Sequence, residues 1–245
     1  MEKLAIVSGT LPLAEQDLFA KLERRRVAVD SWEIEILVAD DFVFLPRHGF
    51  TDSVFAPPHL INHLGHFHLL FRMGVTQVIG VYSTGSLRDF LPPGTLVVPD
   101  DFICLYPMPT SVSDRPHHIT PALDKGLRQD LIRAAEDVEI SVRDGGVYWQ
   151  TAGPRLETKS EIRMMAGVAD LVGMTMASEA VLAEEFGMAF AAVCSIDNYA
   201  HGIGNEILED AAIRSRARQS AAGIGRLITL CLERFRVRMR QADKA

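Results

Sequence analysis

Val78-Ile79-Gly80-Val81, running into Tyr82-Ser83-Thr84-Gly85-Ser86, is the stretch on which the reading of this chain turns. Consecutive apolar residues without polar alternation suit a strand covered on both faces, the kind found in parallel sheets layered between helices. The hydroxyl-and-glycine run after it marks the end of a strand over 77–82. Similar apolar, β-branched runs occupy 3–8, 33–38, 42–46, 95–99, 139–148, 170–174 and 188–196. Helical patterns fall between them at 13–25, 59–73, 121–137, 158–167, 177–186 and 208–238. This alternation predicts an α/β fold: a mixed, mainly parallel twisted sheet flanked by helices. No repeat, low-complexity tract or Ser/Gly linker divides residues 1–245, so one domain is expected, with the Pro/His/Ser-rich stretch 106–120 as a long excursion loop.

A formal charge of −7 and a pI near 5.6 argue against a nucleic-acid or anionic-membrane surface. Mean hydropathy is +0.11, and no apolar run approaches the length of a membrane span. Met1-Glu2-Lys3-Leu4-Ala5-Ile6-Val7-Ser8 turns polar too early for a signal peptide and reads as a first buried strand. Cys104, Cys194 and Cys231 lack metal spacing and read as reduced thiols of a cytoplasmic protein. The last helical pattern carries Ile213, Ala217, Ala221, Ile224, Leu227, Ile228 and Cys231 at helical spacing, which packs it on the core with its arginines solvated.

Polar groups gather at the strand ends. Ser8-Gly9-Thr10 follows the first strand, Pro46-Arg47-His48-Gly49 closes Phe42-Val43-Phe44-Leu45, and Ser83-Thr84-Gly85-Ser86 ends the strand at 77–82. Singly, each reads equally well as an ordinary turn. Together, at the ends of one parallel sheet, they place Thr10, Arg47, His48, Ser83 and Thr84 around one anion. Further on, Gly153-Pro154-Arg155-Leu156-Glu157-Thr158, Gly173-Met174-Thr175 and Ser195-Ile196-Asp197-Asn198 add a carboxylate, a hydroxyl and an amide to the same crevice. His59, His63, His66 and His68 invite a metal reading, but no carboxylate or cysteine stands at ligand spacing, and neither metal nor cofactor is expected. His117-His118 is similarly unspecific, and without a G-x-S-x-G elbow no covalent nucleophile is indicated.

These residues resemble a family, the trimeric purine nucleoside phosphorylases and their relatives, the 5′-methylthioadenosine and methylthioinosine phosphorylases. The resemblance runs from Ser8 to about Asn198 and rests on Ser8-Gly9-Thr10, Arg47-His48-Gly49, Tyr82 to Leu87, Ala152 to Thr158, Gly173 to Glu179 and Asp197-Asn198. It implies a sheet that is partly barrel-like and a reversible reaction in which a purine nucleoside and inorganic phosphate, as co-substrate, give free purine and a pentose 1-phosphate. By that resemblance, phosphate sits among Thr10, Arg47, His48, Ser83, Thr84 and Thr175. Met174 packs under the ribose, Leu156 covers the purine, and Glu157, Asp197 and Asn198 attend the base, with Asn198 and His48 as catalytic groups. The family also implies a homotrimer or homohexamer in which a loop, here 106–120, lids the neighbour's site.

The residue types suit that chemistry. Held phosphate is itself the nucleophile, so the protein supplies none, while an amide donor at the purine gains strength as charge develops on the leaving base. An ionised Glu157 accepts the N1–H of a 6-oxopurine, which adenine lacks; this predicts inosine and guanosine over adenosine. The alternatives are a methylthioadenosine or methylthioinosine phosphorylase and a non-catalytic nucleoside binder. Departures from the family pattern are Leu11, where relatives often carry glycine, and Ser83-Thr84, where small apolar residues are common. Residues 199–210 do not align with a reader of the sugar 5′ position, leaving His201 a bare candidate, and Phe50 to Pro58 lacks the second histidine of many methylthioadenosine enzymes.

Overall fold

In the computed structural model, residues 2–15, 17–50, 55–204 and 208–242 are described; residues 51–54, between Phe50 and Pro58, and 205–207, within 199–210, lie outside them. Strand β5 (Val75–Ser86) organises the sheet. β1 (Lys3–Ser8) runs parallel to it on one side, with Ser8 opposite Val81, and parallel to β4 (Phe42–Pro46) on the other, with Ser8 opposite Pro46. β11 (Ala189–Tyr199) is also parallel to β5, with Ser195 opposite Ser83. The upper end of β5 pairs antiparallel with β10 (Leu171–Gly173), Val172 facing Gly85, and β10 runs parallel to β9 (Val147–Gln150). Beyond these lie β3 (Trp32–Val38) and β2 (Glu23–Val29) at one edge and β7 (Asp101–Cys104) at another. A side branch continues from β11 to β6 (Leu96–Val98) and β8 (Val142–Asp144). The sheet is therefore one branched, mostly parallel surface of 11 strands.

Alternation along the central strands explains the burial on both faces. Ala5, Val7, Val78 and Ala192 face one core, which is closed by α2 (His63–Arg72) and α5 (Met176–Glu185) through Phe67, Leu70, Met176 and Ala180. Leu4, Ile6, Ile79 and Val193 face the other, closed by α3 (Lys125–Asp137) and α6 (Asp210–Ala242) through Leu131, Leu227 and Ile228. A smaller third cluster, including Trp149, Ile162 and Val172, packs under α4 (Lys159–Met165).

Three expectations are corrected. The helix over 13–25 is a 3-10 turn at Leu13–Glu15 and a four-residue helix, α1 (Asp17–Ala20), followed by strand β2. The charged run Glu23-Arg24-Arg25-Arg26 is strand because of a partner distant in sequence. Arg24 and Arg26 both bond Glu35 across the hairpin, and the exposed charges keep this edge from pairing further. The strand over 139–148 is two strands in different branches, separated by Gly145 (φ 87) and Gly146 (φ 144), where the chain crosses between them. Finally, Ser83 to Ser86 are not a loop but the last residues of β5, and Asp197 to Tyr199 are the last of β11.

Gly80 shows how tightly this centre is packed. A Cβ there would sit 2.6 Å from Cζ of Tyr82, whose ring cannot retreat because its hydroxyl is bonded to Glu179. Gly80→Ala is expected to cost about 1–3 kcal/mol, read as a lower urea midpoint at unchanged slope; wild-type stability would contradict this packing.

Candidate functional site

The β1, β4 and β5 register brings Ser8, Pro46 and Val81 to one level, so the residues after each of them emerge at one edge. There a cavity of about 470 Å³ opens, lined by Thr10, Arg47, His48, Ser83, Thr84, Leu156, Glu157, Met174, Thr175 and Asn198. Every site residue singled out in the sequence thus meets in one place, except Asp197. His201 also lines the cavity, its Nδ1 3.1 Å from the Glu157 carbonyl.

Arg47 is 2% exposed and belongs to a buried polar network. Its Nε and Nη2 donate to the two oxygens of Glu179, which is fully buried on α5, and its Nη1 donates to the Val81 carbonyl at 3.2 Å. The Tyr82 hydroxyl donates to the same carboxylate at 2.6 Å, the Tyr82 ring lies 4.3 Å from the guanidinium, and His63 Nδ1 stands 3.4 Å from Glu179. Burial opposes the charge on Glu179, but the Arg47 guanidinium outweighs it and holds the carboxyl well below its usual range. The cation is therefore balanced within the protein. What Arg47 presents to the cavity is its Nη1 edge, beside Gly9, where a Cβ would come within 2.6 Å of that atom.

His48 differs from the cationic partner its pairing with Arg47 suggests. Burial, with the neighbouring Arg47 charge, pushes its imidazole down to about 4, despite a contact with the Ala56 carbonyl that favours the charged form. That carbonyl, 2.6 Å from Nδ1, can only accept, so Nδ1 carries the hydrogen and Nε2, near Gly9, is an acceptor. The ring is fixed by stacking on Phe55 at 4.6 Å. Among the hydroxyls, Thr84 donates to the Ser195 carbonyl at 2.8 Å, which commits its proton. Thr175 is the N-cap of α5 but makes no side-chain cap bond. The helix N–H groups are met instead by Tyr148, which accepts from Thr175 and Met176, and by Gln150, which accepts from Ser178 at 3.0 Å. The Thr175 hydroxyl is left for the cavity.

A bulge in β11 separates Asp197 from Asn198. Ile196 and Asn198 face the consecutive residues Thr84 and Gly85, and Asp197 is the extra residue between them. Asn198 turns to the cavity, where Nδ2 donates to the Tyr199 carbonyl at 2.8 Å, leaving one N–H and Oδ1 open. Gly85 makes room for it, since a Cβ there would stand 3.2 Å from Nδ2. Asp197 is fully buried, accepts from Ser195 Oγ at 2.6 Å, and keeps Oδ2 without a hydrogen bond among the described residues. Burial raises its carboxyl to about 6.

The remaining wall comes from the Gly-Pro segment. Gly153 adopts φ +65 against Met174, and a capping box of Thr158 and Glu161 starts α4 directly after Leu156-Glu157. Leu156 is 48% exposed, an apolar side chain at the mouth, whereas Glu157 is buried. Thr151 donates to Glu157 Oε1 at 2.6 Å.

Sequence reasoning missed the role of Glu179, although it stands in the Gly173–Glu179 motif one helical turn after Thr175, a spacing that could have marked it. It also left Arg214 among solvated arginines, whereas Leu208, Ile213, Arg214 and Ala217 line the cavity. The clustered histidines are dispersed: His63 at Glu179, His66 half-buried, His68 on Asp30 at 2.8 Å and stacked with Phe186. Among the described residues no group of three or more His, Cys, Asp or Glu side chains could hold a metal ion, and no described helix is long and apolar enough to cross a membrane.

Fold and cavity together define a nucleoside phosphorylase-like α/β protein. The family model of the phosphorylase superfamily matches residues 3–233, and the chain belongs to that superfamily. It is 39% identical over 223 residues to a protein of Archaeoglobus fulgidus described as a probable 6-oxopurine nucleoside phosphorylase, covering 89% of this chain and 90% of that one. It is 31% identical to the 6-oxopurine nucleoside phosphorylase of Pyrococcus furiosus, covering 93% and 91%, and 35% identical to a probable S-methyl-5′-thioinosine phosphorylase of Methanothermobacter thermautotrophicus, covering 82% and 72%. Among solved structures, methylthioadenosine phosphorylase from Schistosoma mansoni shares the fold at a TM-score of 0.82 and 21% identity, covering 97% of this chain and 92% of that one.

The buried network generates two expected outcomes. Glu179→Ala leaves the Arg47 charge unpaired and is expected to cost about 3–5 kcal/mol in urea unfolding; a loss below about 1 kcal/mol would contradict the pairing. On acidification from 6.5, the unfolded chain protonates His48 and His66 while the folded chain holds them neutral down to about 4 and about 3, so stability falls. Asp197 acts oppositely, taking up a proton in the fold at about 6 against 3.8 unfolded. Near pH 5 these three groups together leave one net proton, a contribution of about 1.4 kcal/mol per pH unit, and Asp197→Asn should steepen the slope by about as much again. Stability that rises between pH 6.5 and 5 would overturn this assignment.

Proposed function

We propose that the chain is a purine nucleoside phosphorylase that prefers 6-oxopurines, releasing the base and forming a pentose 1-phosphate. The observation that carries the reading is the buried Glu157 carboxylate and the Asn198 amide lining the same cavity as Thr10, Arg47, His48, Ser83, Thr84 and Thr175. A phosphate oxygen attacks C1′ as the bond to purine N9 breaks, and the electron pair leaves with the base. Phosphate is held by the hydroxyls of Thr10, Ser83 and Thr175 and the Arg47 Nη1 edge, and His48 Nε2 accepts a hydrogen bond from hydrogen phosphate, the proton staying on the anion. Thr84, its proton committed, offers lone pairs and backbone. Met174 packs against the sugar, and Leu156 covers the purine. Asn198 donates its open N–H to the purine at N7 or O6, a contact that strengthens as negative charge develops on the leaving base. Glu157 accepts N1–H, and Asp197, behind the bulge, supports Asn198. No cofactor takes part. Names of the relatives support the same substrate class.

A second reading, 5′-methylthioinosine as the preferred nucleoside, is favoured by the apolar Leu208, Ile213 and Ala217 in the cavity lining. His201 stands on the same lining as the polar candidate for a free 5′-hydroxyl. The reading includes a homotrimer or homohexamer in the cytoplasm. The exposed Leu60, Phe71, Phe90, Leu105 and Met164 favour assembly, and the three free cysteines favour a reducing compartment. A species of only 27.1 kDa in sedimentation would speak against assembly.

Phosphate-dependent base release from inosine, adenosine and their 5′-methylthio analogues tests the function. Inosine or methylthioinosine should lead. A tenfold preference for methylthioadenosine over inosine would overturn the assignment, and purine binding without turnover would leave a non-catalytic binder. Asn198→Asp should lower kcat/KM for inosine by about 10–100-fold, since an ionised carboxylate repels O6, and should raise the adenosine-to-inosine ratio. Equal loss for both nucleosides would place Asn198 outside base recognition.

A further inference from the structure

Thr151 does not line the cavity, yet it touches the group that reads the base. It follows β9, and its N–H donates to the Gly173 carbonyl at 2.8 Å, extending the β9–β10 pairing by one residue. The backbone is thus fixed by the sheet. Its hydroxyl has one proton and lies near Glu157 Oε1 at 2.6 Å, the Gly173 carbonyl at 3.4 Å and the Tyr106 hydroxyl, of which only Glu157 carries a charge. The nearer acceptor wins on distance and on charge. Glu157 Oε2 is then the oxygen left without a protein hydrogen bond among the described residues, on a side chain that lines the cavity. Close by, the buried Tyr106 hydroxyl interacts with both Thr151 and Glu157 and makes no other hydrogen bond among the described residues.

We propose that Thr151 is the positioning residue for purine choice: by donating its proton to Oε1 it holds Glu157 as an acceptor and turns Oε2 to the N–H at purine position 1. This inference rests on the proposed 6-oxopurine reading and deepens it. Adenine, with a lone pair at that position, would need Glu157 protonated on Oε2. The Thr151 bond would then fall from a charge-assisted to a neutral one, about half as strong. The loss is on the order of tenfold in preference. A serine in place of Thr151 keeps the donor; valine keeps the shape and removes it.

The experiment compares kcat/KM for inosine and adenosine, and hypoxanthine and adenine binding by calorimetry with phosphate present, in the wild type, Thr151→Val and Thr151→Ser. The expected result is an inosine-to-adenosine ratio about tenfold lower in Thr151→Val, mostly through KM, and within about twofold of wild type in Thr151→Ser. Should the valine variant fail to fold, Thr151→Ala at this half-buried position carries the same expectation. A wild type that prefers inosine, with the ratio unchanged in the valine or alanine variant, overturns the role of Thr151 and leaves the function standing. So does a serine variant that behaves like valine. A wild type without 6-oxopurine preference overturns both.

Discussion

The buried pair of Arg47 and Glu179 is the constraint on which the site depends. Arg47 follows β4, Glu179 stands on α5, and Tyr82 of β5 adds its hydroxyl, so three elements meet at one carboxylate. Such a pair gains little net stability, because desolvating both charges costs nearly what their attraction returns. Its effect is on geometry. With the guanidinium held on four sides, only the Nη1 edge faces Gly9, and the cradle proposed for phosphate is made of dipoles around a charge already balanced. That suits an enzyme whose anion must enter, react and leave, because a full unpaired cation in the core would be costly to keep and slow to release.

Much of this was legible in the chain. The apolar runs at 3–8, 42–46 and 77–82 fixed three parallel strands, and the polar residues after each had to emerge together. The Gly-Pro and Gly-Met-Thr motifs found their places through the β9–β10–β5 pairing, which no local pattern encodes. Failures share one cause, pairing between strands. The helix expected over 13–25 ran into β2, whose arginines are satisfied by Glu35 across the hairpin. Asp197 and Asn198, adjacent in sequence and expected to act together, are parted by a bulge visible only in the register with β5. Thr175 and Glu179 were read as one motif, but the direction in which Glu179 points is set by α5 and by Arg47.

The two walls of the cavity answer different physical demands. On the wall proposed for the anion, the Thr84 hydroxyl and the His48 imidazole are each held by a backbone carbonyl, so their hydrogens have a defined owner before anything binds. On the wall proposed for the base, a carboxylate and an amide are each tied by one bond and left open at another, Glu157 through Thr151 and Asn198 through Tyr199. Half-satisfied groups of this kind are costly when empty and gain when a matching edge arrives, which is how polar groups discriminate better than apolar walls.

In the proposed phosphate site, the orientation of His48 has a consequence for which anion would be admitted. With Nδ1 bound to the Ala56 carbonyl, Nε2 can only receive a hydrogen bond. Hydrogen phosphate has a proton to give, and so does hydrogen arsenate, but sulfate at neutral pH has none and would meet lone pair with lone pair. Two tetrahedral dianions of nearly the same size and charge would thus be told apart there by a single hydrogen, the sorting done by a neutral ring rather than by any cation.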